Sequence, residues 1–251
     1  SMSVLCVWVV IHFRSKRCVV PLKMRYIRIQ PRIVLAILAI GVSPFLMQMA
    51  NSMVQGLFNY NLIKYGSDLA VGAMGIILSI TFIVITCIIA LNMATQPIIG
   101  YNFGAKNFLR VKNTLKTALV TATLISIIAW AIIHSVPELI IGVFIRGNAE
   151  LTSLAVNGMH IFLIMLPVIG FQIVAGNYFQ SIGKASTAVF LTLLRQVIVL
   201  IPMLLILPPI FKLKGVWMAG PISDTVAATI CGILLVIEWK KISGKAAAPA
   251  E

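Results

Sequence analysis

Residues 92–117, NMATQPIIGYNFGAKNFLRVKNTLKT, take this chain from apolar to basic and back again. An apolar run at 74–90 precedes them and another at 118–133 follows. Between the two stand Gln96-Pro97, Gly100 and Gly104, with the bases Lys106, Arg110, Lys112 and Lys116. A segment punctuated by proline and glycine, charged positively and flanked by bilayer-length apolar runs, reads as a turn at a membrane surface.

Composition points the same way. Of 251 residues 60% are hydrophobic and 10% charged, and the mean hydropathy is +1.05. Soluble domains carry about a quarter charged residues, so this chain cannot clothe a water-facing surface. Its net charge of +14, from 20 bases and 6 acids, would suit nucleic acid in a polar chain. In one this apolar it fits the rule that bases gather in cytoplasmic loops while acids stay out of the spans.

Working outward, residues 4–13 are apolar and are followed by Arg14, Lys16 and Arg17. A signal peptide carries its charge first, and ten residues are about half of the ~20 a span needs. This reads as the tail of a truncated helix, with Ser1-Met2 as an expression scar. A basic linker completes the segment 1–32, with Pro21 and Pro31 as breakers. Six apolar spans are expected next, at 33–63, 69–101, 111–135, 151–182, 185–210 and 216–239. They make an all-α membrane lobe over 33–242, leaving 243–251 as a tail. Fifteen bases fall on the side of the linker and tail, and four (Lys64, Arg146, Lys212, Lys214) on the other. That split makes the linker and the carboxyl terminus cytoplasmic.

Polar groups within spans are costly in hydrocarbon and belong at helix interfaces or water-filled cavities. Gln48, Asn51, Ser52, Gln55 and Asn59 sit at offsets of 0, 3, 4, 7 and 11. At about 100° per residue they share a stripe roughly 100° wide. The stripe is either interhelical glue or a cavity wall. Asn92, Thr95 and Gln96 extend the pattern, as do Gln172, Asn177 and Gln180. Pro97 and Pro167 would free backbone carbonyls that protein or water must satisfy.

Arg195 lies about 15 Å into the fifth span, and Asp224 about 12 Å into the sixth from the other face, at 1.5 Å per residue. A core ~30 Å thick puts the two near one level. Three readings stay open: a structural salt bridge, a proton- or cation-linked role for Asp224, or both groups near water. Met47, Met49, Met53, Met93, Met165 and Met203 are either packing or a flexible lining for varied apolar cations.

Cys6, Cys18, Cys87 and Cys231 have no metal or redox spacing, and His12, His134 and His160 are isolated in sequence. The acids Asp68, Glu138, Glu150, Glu238 and Glu251 are read as lying outside the spans and suggest no paired-carboxylate chemistry. With no nucleotide loop, metalloprotease helix or nucleophile elbow, no enzyme, catalytic residue or bound cofactor is expected.

Gln96-Pro97-Ile98-Ile99-Gly100-Tyr101-Asn102-Phe103-Gly104-Ala105-Lys106, then Arg110-Val111-Lys112, resembles the signature of the multidrug and toxic compound extrusion (MATE) family at the end of its eighth helix. Tyr178-Phe179-Gln180-Ser181-Ile182-Gly183-Lys184 and Leu194-Arg195-Gln196, with Ile201-Pro202, are similar to its tenth and eleventh helices. Gly215-Val216-Trp217 and Pro221-Ile222-Ser223-Asp224 resemble its twelfth. Tyr65-Gly66 with Ala73-Met74-Gly75-Ile76 looks most like the bacterial MepA-type branch.

The resemblance implies a bacterial plasma-membrane protein equivalent to the carboxyl-terminal lobe of a transporter with twelve helices in two lobes. Such transporters export organic cations in exchange for Na+ or H+ by rocking the lobes around a central cavity. Several branches keep the main cation-linked acid in the amino-terminal lobe. The NorM-like branch adds an acid on the seventh helix, where this chain has Asn51 and Ser52. The implied partners are lipids, small organic cations and an amino-terminal lobe or second copy, without which the chain would be inactive. The alternative is a non-transporting scaffold or lipid-interacting bundle, its basic linker on anionic headgroups.

Overall fold

A computed structural model describes Val4, Val7–Val9, Ile11, Phe13 and residues 30–145 and 147–247. Six of the seven linker bases, Arg146, His12, Cys6, Cys18 and residues 248–251 lie outside the described residues. The chain divides into two compact units, 1–45 and 46–251. In the first, Val4, Val7–Val9, Ile11 and Phe13 are helical and exposed, and Val34 donates its N–H to the Gln30 carbonyl at 3.1 Å as a long helix begins. That helix, α1 (Pro31–Tyr65), continues into the second unit.

Among the described residues from 46 to 247 the further elements are all helices, with no strand. Helix α2 (Asp68–Gly104) carries Pro97 without a break. The turn at its end closes with Lys106 at φ 59° and the Asn107 N–H donating to the Asn102 carbonyl at 2.8 Å. Asn107 then caps α3 (Phe108–Ser135), its side-chain oxygen accepting from the Arg110 N–H at 3.3 Å. An N-cap side chain supplies an acceptor to one of the otherwise unpaired first-turn donors. The stretch read from sequence as a turn therefore does turn between two long helices. A short helix, α4 (Pro137–Phe144), starts with Pro137 at its first turn and occupies the interval between the third and fourth expected spans.

The fourth expected span is broken. Helix α5 (Ala149–Phe162) and helix α6 (Leu166–Ser181) meet at 52°, with Pro167 in the first turn of the second. Proline tolerates that position because it has no N–H to leave unpaired there. Next come α7 (Ala185–Leu193), a π-helical turn (Leu194–Leu200) and α8 (Ile201–Ala247).

The run from Ala185 to Gly244 has 60 residues. Straight, it would be about 90 Å long, three times the ~30 Å apolar core of a bilayer. Instead it reverses at Lys212 (φ 52°, ψ −133°). A Cβ on Gly215 would collide with the Leu207 carbonyl, so the two arms touch beside the turn. Further along they meet again at Arg195 and Asp224, and at Lys184 and Glu238. This ordered progression is an antiparallel hairpin, so the run is two spans. With α2, α3 and the bent α5–α6 pair it supplies the apolar helices of the unit.

Small residues set the closest approaches, as they do where no water drives helices together. A Cβ at Gly170 of α6 would strike the Ser126 hydroxyl and Ala122 carbonyl of α3, and one at Gly158 would strike Ile77 and Trp217. Leu62, Ile77, Ile88, Leu115, Met159, Leu163 and Tyr178 fill the centre.

Candidate functional site

A cavity of about 490 Å³ opens between α2, α6, α7 and the π turn, with Met47 of α1 at its edge. Ligand clefts commonly hold ~300–1,000 Å³, so it is large enough for a small organic molecule. Helix α2 contributes Asn92, Met93 and Gln96, one turn apart on a single face. Helix α6 contributes Gln172, Gly176, Asn177 and Gln180, and the α7–π segment contributes Thr192, Arg195 and Gln196. A Cβ on Gly176 would meet nothing within 4 Å, which keeps this wall open. Asn92 Nδ2 approaches the Ile173 carbonyl at 3.5 Å, joining two walls. The amide oxygens of Asn92, Gln172 and Gln196 are buried and accept no hydrogen bond among the described residues. The wall therefore sets six amides, the Thr192 hydroxyl and one guanidinium among apolar side chains.

The first-span residues lie elsewhere. Gln48, Ser52, Gln55 and Asn59 are exposed, Asn51 is half-buried, and none of the five lines this cavity. None makes a side-chain hydrogen bond among the described residues. Asn61, which the stripe did not include, does. Its Nδ2 donates to the Leu204 carbonyl at 3.0 Å and to Leu57 at 2.9 Å. Met49 and Met53 are exposed rather than cavity-lining, so the flexible lining reduces to Met47 and Met93.

Arg195 and Asp224 meet across the hairpin, Nε donating to Oδ1 at 2.5 Å. The Ser223 hydroxyl donates to the Arg195 carbonyl at 2.6 Å, so α8 holds Arg195 by both backbone and side chain. The π turn gives this contact its place. A wider turn displaces backbone carbonyls from the α-helical ladder, and such turns gather at functional sites. Nothing in the residue types at 194–200 marks it.

Two further groupings were not visible in sequence. Glu238, read as outside the spans, is buried on α8 and accepts from Lys184 Nζ at 2.6 Å. Nearby, Lys112 Nζ donates to the Ser243 hydroxyl at 3.1 Å and lies 5.1 Å from the Trp239 ring centre, tying α3 to the end of α8. His134 and His160, far apart in sequence, stand 5.0 Å apart between ring centres, and Trp130 stacks 4.7 Å from His134. His134 Nδ1 lies 3.0 Å from the Trp130 carbonyl, which can only accept, so Nδ1 carries the proton. No group of three or more metal-ligating side chains occurs among the described residues.

A family model described as MatE matches residues 44–206. The chain belongs to the MatE family. Its members are multidrug efflux transporters rather than enzymes. The match takes in all the cavity-lining residues and the π turn, and stops short of Asp224. The multidrug export protein MepA of Staphylococcus saprophyticus is 25% identical over 229 residues, which are 91% of this chain and 49% of that protein. MepA of Staphylococcus aureus strain NCTC 8325 is 23% identical over 229 residues, again 91% of this chain and 49% of the relative. A solved structure of the MATE multidrug transporter DinF-BH is 34% identical, with a TM-score of 0.75, and the match covers 93% of this chain and 52% of that one. An inward-facing MATE family transporter of the MOP superfamily, 20% identical, has the same fold at a TM-score of 0.83 over 98% of this chain and 57% of its own. This MatE chain thus spans about half the length of the relatives it matches.

Proposed function

We propose that this chain is the carboxyl-terminal six-helix lobe, residues 33–242, of a bacterial plasma-membrane antiporter that exports organic cations and other drugs in exchange for Na+ or H+. Residues 1–32 and 243–251 are its cytoplasmic linker and tail. The observation that carries this reading is the cavity faced by Asn92, Gln96, Asn177 and Gln180 in an otherwise apolar helix bundle. Buried amides cost free energy in hydrocarbon and are kept where they meet water or a ligand. The stripe Gln48, Asn51, Ser52, Gln55 and Asn59, exposed except for half-buried Asn51, is a second polar face, suited to the aqueous side of a cavity that a facing lobe would close. Exposed amides against acyl chains would go unpaired.

The coupling ion is assigned to the facing lobe. In this chain the deepest carboxylate, Asp224, is already neutralised by Arg195, and Glu238 by Lys184. Alternating access then needs an amino-terminal lobe or a second copy, and the chain alone is inactive. The test is ethidium efflux from cells that co-express this chain with a MATE amino-terminal lobe, against either piece alone. Efflux with both present, lost on Gln96→Leu/Asn177→Leu, is expected. No efflux of any tested drug with both lobes membrane-inserted would favour a non-transporting bundle.

A further inference from the structure

Far from the amide-lined cavity, at the end of α3 opposite the 105–107 turn, two imidazoles face each other. His134 is the penultimate residue of α3, and His160 the third from the end of α5. Their ring centres are 5.0 Å apart with the planes at 61°. His134 gives its Nδ1 proton to the Trp130 carbonyl, which leaves Nε2 as a lone-pair acceptor. That Nε2 is buried and has no hydrogen-bond partner among the described residues. Trp130 Nε1, on the ring stacked against His134, is buried and unpartnered as well. Buried polar atoms nearly always find a partner, so two orphans in one place point to a guest.

We infer that His134 and His160 form an open two-imidazole site for a borderline divalent transition metal, Zn2+ or Cu2+. Imidazole nitrogen suits these ions, whereas Mg2+ and Ca2+ take oxygen ligands. A metal-bound histidine characteristically donates its other ring N–H to a carbonyl or carboxylate, which fixes the tautomer and makes the free nitrogen more basic. The Trp130 carbonyl does this for His134. Bonds of ~2.0–2.1 Å, with each ring centre about 1 Å behind its nitrogen, put two imidazoles on one tetrahedral Zn2+ ~5 Å apart between centres. The pair already has that spacing. An entry path exists too. A cleft of about 670 Å³ lies between Glu138 of α4 and Thr152, Ser153, Val156 and Asn157 of α5. His160 is four and three residues beyond the last two, one turn further along the same face. Among the described lining residues Glu138 carries the one ionisable side chain, so the cleft draws cations inward. Water from the cleft completes the coordination shell, as at other open sites. The bound ion ties α3 to α5 just before the 52° break.

The experiment is a Zn2+ titration, against a chromophoric chelator, of the full chain in phosphatidylcholine nanodiscs without a polyhistidine tag. Neutral lipid keeps anionic headgroups from taking up the ion. The chain carries His12→Asn, which leaves the pair as its only imidazoles. One Zn2+ per chain is expected. His134→Gln and His160→Gln should each weaken binding at least about tenfold, because even outer-shell changes at metal sites cost ~10–100-fold. Zn2+ should also raise the melting temperature of the parent and of neither variant, since a ligand stabilises only the state that binds it. Should the glutamine variants fail to fold, His160→Cys keeps a zinc ligand and should retain binding, whereas His160→Ser, of similar size, should lose it. No saturable binding, binding unchanged in His134→Gln/His160→Gln, or equal behaviour of the cysteine and serine variants overturns the inference.

Discussion

Asn61 of α1 donates to the carbonyl of Leu204 in α8 at 3.0 Å. In an unbroken helix that carbonyl would receive the N–H of residue 208, which is proline. An amide from a different helix thus takes the role of the donor the sequence removed. A freed carbonyl in an apolar interior costs about 1–3 kcal/mol. Asn61→Leu is therefore expected to destabilise the chain by about that amount. Adding Pro208→Ala should recover most of the loss, because alanine at that position restores the helical donor. Thermal unfolding in detergent reads both. A silent Asn61→Leu, or no recovery in the double variant, would show that the contact carries no weight.

The Arg195–Asp224 pair predicts a coupled loss. Removing one member of a buried pair leaves an unpaired charge and costs about 3–5 kcal/mol when burial is complete. Arg195 is partly exposed, so Arg195→Gln should cost the upper part of that range, since it strands Asp224, and Asp224→Asn distinctly less. The double neutral variant should be more stable than the sum of the two losses. Additive losses in melting temperature would refute direct coupling.

The fold was legible where the signal was continuous, and the details were lost where a single residue acts through a distant one. Length and apolarity marked out α2, α3 and the α7–α8 hairpin, because a bilayer accepts few alternatives to a helix. Gly100 and Gly104 with the clustered bases marked a turn, which closes at 105–107, while the Asn107 cap was not read. Pro167 was read as freeing backbone carbonyls there, but the 52° break itself was not legible, since a proline inside an apolar run reads equally as a kink or as a helix start. The π turn at 194–200 leaves no compositional trace. The Lys184–Glu238 pair was not legible, because a partner 54 residues away is invisible to a local pattern. His134 and His160 were isolated in sequence for the same reason. For the site, helical spacing brought Asn92 to Gln96 and Asn177 to Gln180, while nothing local could say that the α1 stripe would lie apart from them.

Close packing of α3 on α6 gives a sharper stability test. A methyl at Gly170 has no room between the Ser126 hydroxyl and the Ala122 carbonyl. Overpacking of this kind costs about 1–3 kcal/mol. Gly170→Ala should lower the melting temperature, whereas Gly176→Ala, which faces open space, should leave it unchanged. Equal effects would contradict the α3–α6 contact.

Orientation can be read with thiol labelling in a cysteine-free background. Cysteines placed at Asn107 and Gly244 should resist an impermeant maleimide in intact cells and react once the membrane is opened. One at Asn148 should react from outside. The reasoning is the gathering of bases on the side of the 106–116 turn and the tail. Labelling of positions 107 and 244 from opposite sides would break the assignment of α3 to α8 as four successive crossings.

The same background separates the two kinds of exposed surface. Maleimide reacts with thiolate, which forms in water and hardly at all against acyl chains. Gln55, Gln180, Ile83 and Val120 are all exposed in the structure, so accessibility alone does not distinguish them. If Gln55 and Gln180 face water while Ile83 and Val120 face lipid, Gln55→Cys and Gln180→Cys in nanodiscs should label about tenfold faster or more, the thiolate being the reactive form. Labelling of Gln55→Cys should then slow when a facing lobe is supplied and closes over it. A rate at Gln55 no greater than at Ile83 would put the α1 stripe against lipid and remove one of the two polar faces from which the transport reading is built.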